Sequence, residues 1–480
     1  MSSVSSLNSL LSSALTGSAS TSDSGIDLSS LLQAATGATS AGIDVTSAVD
    51  AALYADRAPE RQWQAEQSTI SSQITALTTI QTALSSVSND LDSLNDLSGP
   101  LAARTVSSSA SGVSGTATAG AAIGSHIVSV QSLASSASWY SPSLPSSSSS
   151  LGSSTLTITA ADGTQTSFNT GSGVNTLSDL ASAINAAGIG VNASIVNDAS
   201  GSRLALVSST TGSAADFTVS SSDPTFTMTR ASTAANASLT VDGIPISSAT
   251  NTVTGAVTGL TLNLTGVTQA NNPVTLTVGA DTTQISQALS SFVSDYNSAL
   301  SQVNSQFTYS TSSGSQGVLS ADSTIRSLQS ALEGVVAYNS PSTSGSTGAI
   351  QSLSDLGITM NDDGSLSLDT SKLTNALANP AAVQNFFQGS ALNGFAQQFS
   401  SVVSQFNDPA TGAITREVQN LNQQYSDLQS QVNDYESGYI ASQQTVLTAM
   451  YSKAEIALQQ LPAEMQQIQS ELGNNNSGNG

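Results

Sequence analysis

The sequence contains no cysteine and very little positive charge. Its 480 residues include nine Lys and Arg, 32 Asp and Glu and one His, which gives a formal net charge of −23. Without cysteine the chain can form no disulfide framework, thiolate nucleophile or cysteine-ligated metal centre. So acidic a chain cannot neutralise a phosphate backbone or an anionic lipid surface, which argues against nucleic-acid binding and membrane binding.

Long hydrophobic runs and aromatic residues are also scarce. Aromatic residues make up 4% of the chain. No stretch approaches 18 consecutive apolar residues, so we expect no membrane insertion. The N-terminus, from Met1 to Leu7, lacks the basic and continuous apolar regions of a Sec-type signal peptide. The lysine-poor, Ser/Thr-rich composition is typical of an external bacterial surface protein, so it predicts export by another route.

Residues for catalysis or ligand binding are equally hard to find. His126, the single histidine, begins a predicted strand without a nucleophile-elbow motif, so a Ser-His-Asp hydrolase is not indicated. The segment from Gly357 to Asp369 superficially suggests a calcium loop, but Thr359 and Thr370 would stand where an EF-hand needs acids. We therefore expect no catalytic, cofactor-binding or metal-binding residues, and we expect that the protein is not an enzyme.

Heptad spacing appears towards both ends of the chain. Such spacing predicts coiled-coil helices, and the two matching sets predict a long antiparallel α-helical stalk built from both chain ends. After Val446 the apolar register slips by one residue and continues from Leu447 to Leu472. The predicted seam consists of Ile70, Leu77, Ile80, Leu84, Val87, Leu91 and Leu94 near the N-terminus, and Leu421, Tyr425, Leu428, Val432 and Tyr435 near the C-terminus.

The middle of the chain, residues 105–280, is rich in alternating apolar residues and reads as strands. Asp162-Gly163 and Asp242-Gly243 each lie between two such runs and predict β-hairpins. One helix interrupts the strands, with a capping-box pattern at Thr176 and an end at Gly188. A further helix carries an apolar stripe from Ile285 to Phe307. The fold class is therefore α+β, with β-rich head domains inserted into the helical stalk.

These patterns divide the chain into predicted segments. Residues 1–41 are predicted to be a disordered terminal segment. Its sequence Gly25-Ile-Asp-Leu-Ser-Ser recurs just after the segment as Gly42-Ile-Asp-Val-Thr-Ser, through either duplication or coincidence. The remaining segments are N-terminal stalk helices (42–104), an inner β-rich head domain (105–145 and 236–280), an outer α/β head domain (146–235), C-terminal stalk helices with a small hairpin (281–465) and a flexible terminus (466–480).

Several segments, taken in order, resemble a known family. They are Gly42-Ile-Asp-Val, Ala55-Asp-Arg-Ala-Pro, Leu177-Ser-Asp-Leu-Ala-Ser-Ala-Ile-Asn-Ala, Ala237-Ser-Leu-Thr-Val-Asp-Gly-Ile, Phe292-Val-Ser-Asp-Tyr-Asn, Leu356-Gly-Ile-Thr, Asp363-Gly-Ser-Leu-Ser-Leu-Asp and Gly412-Ala-Ile-Thr. Together they are similar to the flagellar filament-capping family, hook-associated protein type 2. The chain departs from this family in its longer leader before Gly42 and in Gly438, where a charged helical residue is usual.

The resemblance implies a structural protein at the tip of the bacterial flagellar filament. Such proteins leave the cell through the flagellar type III export channel and form a ring-shaped homo-oligomer, under which flagellin inserts and polymerises without being lost. The implied partners are flagellin, hook-associated junction proteins, an export chaperone and further copies of the chain, and some members also mediate adhesion. Two alternatives stay open: a secreted β-rich adhesin, or another hook-associated or flagellin-type filament protein.

Overall fold

The structure is a computed structural model that describes residues 44–269, 272–309, 314, 316–340, 350–390 and 392–475. The predicted terminal segment 1–41 and its repeat at Gly25 lie outside the described residues. The chain is 48% helical and 24% strand, with helices at both ends and β-rich middle domains, which confirms the α+β class. Two compact units are present: a first unit of residues 1–79, 309–321 and 414–480, and a second unit of residues 80–308 and 322–413.

The helices are long towards the chain ends and short elsewhere. Within the described residues they are α1 (Val45–Asp56), α2 (Ala58–Asn95), α3 (Leu177–Ala187), α4 (Thr282–Phe307), α5 (Ser323–Glu333), α6 (Thr370–Ala376), α7 (Pro380–Gln388), α8 (Phe395–Asn407), α9 (Ala413–Asp434) and α10 (Ala441–Asn475). A π-helical turn, Tyr435–Ile440, joins α9 to α10.

The strands of the second unit are β1 (Arg104–Ser108), β2 (Val113–Ala117), β3 (Gly124–Ser132), β4 (Ser138–Tyr140), β5 (Thr155–Ala160), β6 (Gln165–Asn169), β7 (Val191–Asp198), β8 (Gly201–Ser208), β9 (Phe217–Ser221), β10 (Thr229–Ser232), β11 (Ala237–Val241), β12 (Ile244–Ser248), β13 (Thr252–Val257), β14 (Leu260–Leu264), β15 (Val274–Ala280), β16 (Ile358–Met360) and β17 (Leu366–Leu368). Among the residues that the structure describes, these strands form five antiparallel sheets. The largest has the order β1-β15-β3-β11-β12, and the others have the orders β10-β4-β8-β7, β13-β14-β2, β6-β5-β9 and β16-β17.

The β-rich middle contains two separate hydrophobic cores. One core draws its buried residues from positions 113–134 and 237–278, so two distant stretches of the chain build it together. The other core draws its buried residues from positions 137–234 and includes one face of α3. The second core is therefore contributed by a continuous stretch of chain that is inserted into the first.

The local signals in this region predicted their turns correctly. Asp162-Gly163 joins the paired strands β5 and β6, and Asp242-Gly243 joins β11 and β12. Thr176 makes both hydrogen bonds of a capping box with Asp179, and Gly188 ends α3 with a left-handed φ of 62°. Each signal depends only on a few neighbouring residues, so tertiary contacts did not override it.

The helical part of the second unit has an aromatic core. The predicted stripe on α4 is buried from Ile285 to Val303. Phe292 on this stripe makes edge-to-face contacts with Phe395 and Phe399 of α8. The hydroxyl of the buried Tyr296 donates to the backbone carbonyls of Leu332 and Gly364 at 3.1 and 3.2 Å, which ties α4 to its neighbours.

The end of the last helix differs from the predicted boundary. Residues 466–480 were expected to form a flexible terminus, yet the structure continues α10 to Asn475. Residues 454–472 are rich in Ala, Gln, Glu and Leu, which have high helix propensity. Most residues of this segment therefore favour a helix, and Pro462 is the exception, because it lacks the backbone N–H of an interior helical position.

Candidate protein interface on the terminal helices

The N-terminal seam is a buried row along α2. Leu77, Leu84 and Leu91 are fully buried, and no member of the seam exposes more than 4% of its surface. The full set is Ile70, Leu77, Ile80, Leu84, Val87, Leu91 and Leu94. The structure thus places the predicted N-terminal seam inside the chain's own core.

In the second unit, α7 and α8 lie beside the C-terminal half of α2. The side-chain amide of Gln388 donates to the backbone carbonyls of Leu94 and Asp96 at 3.2 and 2.9 Å. The Asn407 amide donates to the Ser85 hydroxyl at 2.9 Å. The sequence analysis missed α8 as a partner, although Phe395, Phe399 and Val403 recur every four residues and could have indicated it.

In the first unit, the N-terminal half of α2 runs antiparallel to α9. Gln67 donates to Gln429 at 3.4 Å, and Arg57 donates to Glu436 of the π-helical turn at 2.9 Å. Later residues of α2 therefore lie beside earlier residues of the C-terminal helix, which is the pattern of an antiparallel pair. The Trp63 ring also meets the Tyr435 ring edge to face, with centroids 5.4 Å apart.

The C-terminal seam is less well covered than the N-terminal one. Leu428 and Val432 of α9 are buried but each keeps 9% of its surface exposed. Leu421 and Tyr435 are half-buried, and the Tyr425 side chain is exposed. Burial along α9 is therefore uneven, since Ile414 near its start is fully buried while Leu421 is only half-buried.

The π-helical turn explains the register slip in the apolar pattern. A π-helical turn accommodates one more residue than an α-helical turn and rotates the following faces. The sequence analysis placed the slip after Val446, whereas the structure places the turn at Tyr435–Ile440. Ile440 at the end of this turn is buried with Val49 and Leu53 of α1, so the turn presents an apolar side chain to α1.

Several large apolar side chains are exposed along α9, the π-helical turn and α10. We name Tyr425, Tyr439, Val446 and Met450 the open row; their exposed fractions are 37–59%. We name Leu458, Leu461 and Ile468 the distal seam; they continue the spacing of Leu447 and Tyr451 and are about half exposed. At 100° per residue, Leu458 lies roughly 100° around the helix from the mean direction of Val446 and Met450. Leu461 and Ile468 lie roughly 40° and 20° from that direction, so the two rows converge towards the end of α10. Large apolar side chains on adjacent faces mark a surface for protein contacts.

Two carboxyl groups interact in the second unit, one on each of two helices. Asp90 of α2 is partly buried, and burial together with the nearby charge of Asp295 on α4 raises the pKa of Asp90 to about 6. The cause is that the charged form loses hydration and meets a like charge, so protonation is favoured. This pair is therefore expected to make the stability of the packing around α2 depend on pH.

His126 has a structural environment. Its Nδ1 lies 2.8 Å from Oδ2 of Asp242, and Oδ1 of Asp242 accepts the Ile127 N–H at 2.8 Å. The hydrogen bond from His126 is the main reason that the pKa of Asp242 lies below its usual range. The contact links β3 to the turn after β11. The part of the chain that the structure describes contains no group of three or more potential metal-ligating acidic, His or Cys residues.

None of the described helices combines the length and the apolarity that crossing a bilayer requires. Helices from both chain ends, β-rich domains between them and apolar rows left open on the terminal helices together define a structural assembly protein.

Comparison with known proteins gives this class a family. The profile described as the flagellar hook-associated protein 2 N-terminus matches residues 41–137, and that of the C-terminus matches residues 234–466. A flagellin hook IN motif matches residues 155–210. The chain belongs to the flagellar hook-associated protein 2 family.

Individual relatives agree with this assignment. The B-type flagellar hook-associated protein 2 of Pseudomonas aeruginosa PAO1 is 30% identical over 397 residues, which cover 76% of this chain and 82% of that protein. The flagellar hook-associated protein 2 of Salmonella typhimurium LT2 is 36% identical over 165 residues, or 32% of this chain and 33% of that protein. The D1-D2-D3 domains of the Escherichia coli flagellar cap protein FliD have a TM-score of 0.56 at 27% identity, covering 72% of this chain and 99% of that structure.

Proposed function

We propose that this protein caps the tip of the bacterial flagellar filament and promotes the insertion of flagellin beneath it. Support comes from the family and from the similarity to a solved flagellar cap protein. The family is one of structural proteins rather than enzymes, which agrees with a sequence that offers no catalytic constellation. The protein would act outside the cell, at the distal end of the filament.

The observation that carries the proposed mechanism is the open row on the terminal helices. Tyr439, Val446 and Met450 expose about half of their apolar surface in the single chain. Burying such side chains stabilises a complex by about 25 cal/mol per Å². In the proposed ring, this row contacts flagellin and neighbouring copies of the chain.

Further parts of the proposal concern export and assembly partners. We infer that the chain leaves the cell through the flagellar type III channel with the help of an export chaperone. At the filament tip it would meet flagellin, and at the start of filament growth the hook-associated junction proteins. The support is the family to which the chain belongs.

The deciding experiment is deletion of this gene followed by complementation. We expect the deletion strain to lack long filaments and to release flagellin into the medium, and we expect the intact gene to restore both. Normal filaments in the deletion strain would refute the proposed function. Electron microscopy measures filament length, and immunoblotting of the culture supernatant measures released flagellin.

The same strain tests the adhesin alternative and an adhesive side role. A secreted adhesin would leave filament length unchanged while reducing attachment to surfaces. Loss of a capping protein with an adhesive role would reduce both filament length and attachment. If a chain lacking residues 146–235 restored filament length but not attachment, adhesion would be assigned to those residues. If the protein were instead a hook-junction or flagellin-type protein, the deletion strain would carry no filament at all. Adding the purified chain would then not cause flagellin to assemble.

A further inference from the structure

The π-helical turn between α9 and α10 holds one residue more than an α-helical turn. The backbone N–H of Ala441 donates to the carbonyl of Glu436, which lies five rather than four residues earlier. The extra residue rotates all later residues by about 100° relative to a continuous α-helix. The position of this extra residue therefore decides which apolar row of α10 faces α1.

The row that faces α1 in the structure begins inside the turn. Ile440 is fully buried, and it forms a small core with Val49 and Leu53 of α1. Two residues of α10 pack against this core and are half-buried. We name the row on this side of the helix the core row; its members are Ile440, Leu447 and Tyr451.

The open row lies one residue before the core row. Its last three members, Tyr439, Val446 and Met450, each immediately precede a core-row residue in the sequence. They are 44%, 59% and 54% exposed. If the extra residue moved from the π-helical turn to a point beyond Tyr451, each open-row residue would take the place of the core-row residue that follows it.

The spacing of apolar residues in α9 also leads into the open row. A set of residues seven apart runs through the turn without a break: Val418, Tyr425, Val432, Tyr439 and Val446. A continuous α-helix would therefore place Tyr439 and Val446 on the face that carries Val432. The structure places Ile440 and Leu447 there instead, so the sequence fits both arrangements.

Either row can fill the site beside α1. The open row would replace a leucine by a valine, a tyrosine by a methionine and an isoleucine by a tyrosine, which are two reductions and one increase in size. Cores tolerate such exchanges when the total apolar volume is kept. Gly438 lies inside the turn, and no described atom outside its own helix is within 4 Å of where a Cβ would stand. Packing at Gly438 therefore does not hold the turn in place.

The later part of α10 can rotate without disturbing a core. Leu458 and Leu461 of the distal seam are about half exposed in the observed arrangement. Just beyond them, Pro462 has no N–H and removes one backbone hydrogen bond from the helix. The extra residue can therefore be accommodated near Pro462 with little further loss of hydrogen bonding.

We propose that the π-helical turn is a register switch, through which α10 packs on α1 either with the core row or with Tyr439, Val446 and Met450. In the second register, Leu447 takes the exposed position that Thr448 holds in the observed one. The two registers thus offer different apolar surfaces, and a partner that binds one of them shifts the population towards it. Both registers belong to the single chain, so the switch does not depend on the proposed capping role.

Leu447→Asp in the full-length chain tests the switch, because it disfavours only the observed register. We expect hydroxyl-radical oxidation of Tyr439 to fall at least about threefold relative to wild type, since this side chain would move from 44% exposure to the buried place of Ile440. Oxidation of Met450 should fall less, because the place of Tyr451 is only half-buried. Circular dichroism should show unchanged helix content.

Three further variants separate a change of register from a loss of packing. Val446→Asp places the same charge on the open row and should leave the oxidation of Tyr439 at the wild-type rate. Deletion of Gly438 removes the extra residue and keeps the core row in place on a continuous α-helix. In that background Leu447→Asp has no second register to adopt and should not protect Tyr439. Leu447→Asn, polar but uncharged, repeats the test should the aspartate unfold α10.

Three results would overturn the proposal. Unchanged or faster oxidation of Tyr439 in both Leu447→Asp and Leu447→Asn would show that α10 has one register, which these substitutions only loosen. Equal protection in the chain without Gly438 would show that the extra residue is not required. Protection confined to concentrations at which analytical ultracentrifugation detects dimers would assign it to contact with a second copy.

Discussion

The helices α2 and α10 carry the same apolar spacing, but the apolar row is buried on α2 and largely exposed on α10. Leu84 and its neighbours on α2 are fully buried, whereas Val446, Met450 and Leu461 on α10 are about half exposed. Heptad spacing identifies which face of a helix is apolar, but it does not identify what covers that face. A covered row contributes to folding of the single chain, and an open row is available for assembly.

The neighbours of each helix account for this difference. Gln388 and Asn407 bring α7 and α8 against the C-terminal half of α2, and Gln429 brings α9 against its N-terminal half. In the first unit, α1 covers α10 only as far as Tyr451. If these neighbours cause the difference, one charge placed on the covered row should destabilise the chain much more than one charge placed on the open row.

The largest effect is expected for Leu84→Asp on α2. A carboxylate at a fully buried position loses its hydration without gaining a partner, which costs about 3–5 kcal/mol. We expect the melting temperature to fall by about 10 °C in a calorimetric scan. Asn89→Asp, at an exposed position of the same helix, is the matched control and should shift it little. Equal shifts in the two variants would contradict a buried seam on α2.

A smaller, pH-dependent effect is expected for Asp90→Asn on the same helix. The folded pKa of about 6 lies above the unfolded value near 4, so the folded state holds the proton more tightly. This group therefore stabilises the fold below about pH 4 and loses that contribution as the pH rises through about 6. Removing the charge should raise stability at pH 8 by roughly 1 kcal/mol, after allowing for solvent screening, and change it little at pH 4.

Urea unfolding at both pH values measures this difference. Asp92→Asn, at an exposed position two residues further along α2, is the control and should give the same small change at both pH values. If Asp90→Asn destabilised the chain at pH 8, the carboxylate would be stabilising rather than strained, and the proximity of Asp90 to Asp295 would not have the assigned effect.

A still smaller effect is expected for His126→Ala, which lies on neither helical row. The variant loses the 2.8 Å contact with Asp242, which is partly exposed, so we expect a loss of about 0.5–1 kcal/mol. Motility should be retained, and a chelator should leave the melting temperature of the wild-type chain unchanged. A chelator-sensitive melt would show that a bound metal stabilises the fold.

The smallest effect on stability is expected for Val446→Asp in the open row. The side chain is already exposed, so its replacement should change the free energy of unfolding of the isolated chain by no more than about 0.5 kcal/mol. Complementation of the deletion strain should nevertheless yield short filaments, because the charge interrupts the surface proposed for assembly. Thr448→Asp, which is exposed and lies roughly 160° around α10 from Val446, should restore normal length. Normal filaments with Val446→Asp would remove this row from the proposed interface.

Much of the fold could be predicted because the determining signals are local. Thr176 and Gly188 bound α3 as expected, and the stripe from Ile285 to Val303 is buried as its period predicts. Helix pairing is different, since it depends on residues hundreds of positions apart. Phe395 and Phe399 were therefore missed as a partner surface, although they contact Phe292 directly.

The candidate interface was harder to predict than the fold. Tyr425 and Val432 belong to one heptad row, yet the first is exposed and the second is buried. Their spacing does not distinguish them; Val432 lies closer to the point where α9 meets α2, around Gln429. The π-helical turn also has no simple sequence signal, because its extra residue can be placed at several positions with nearly the same apolar pattern.

Hydroxyl-radical footprinting tests most directly whether the open row is used for assembly. Tyr439 and Met450 should be oxidised rapidly in the isolated chain, whereas the buried Tyr296 should be protected. When the chain caps short filaments of purified flagellin, oxidation of Tyr439 and Met450 should fall severalfold while Tyr296 stays protected. Equal oxidation of Tyr439 and Met450 in the free and filament-bound chain would contradict the account.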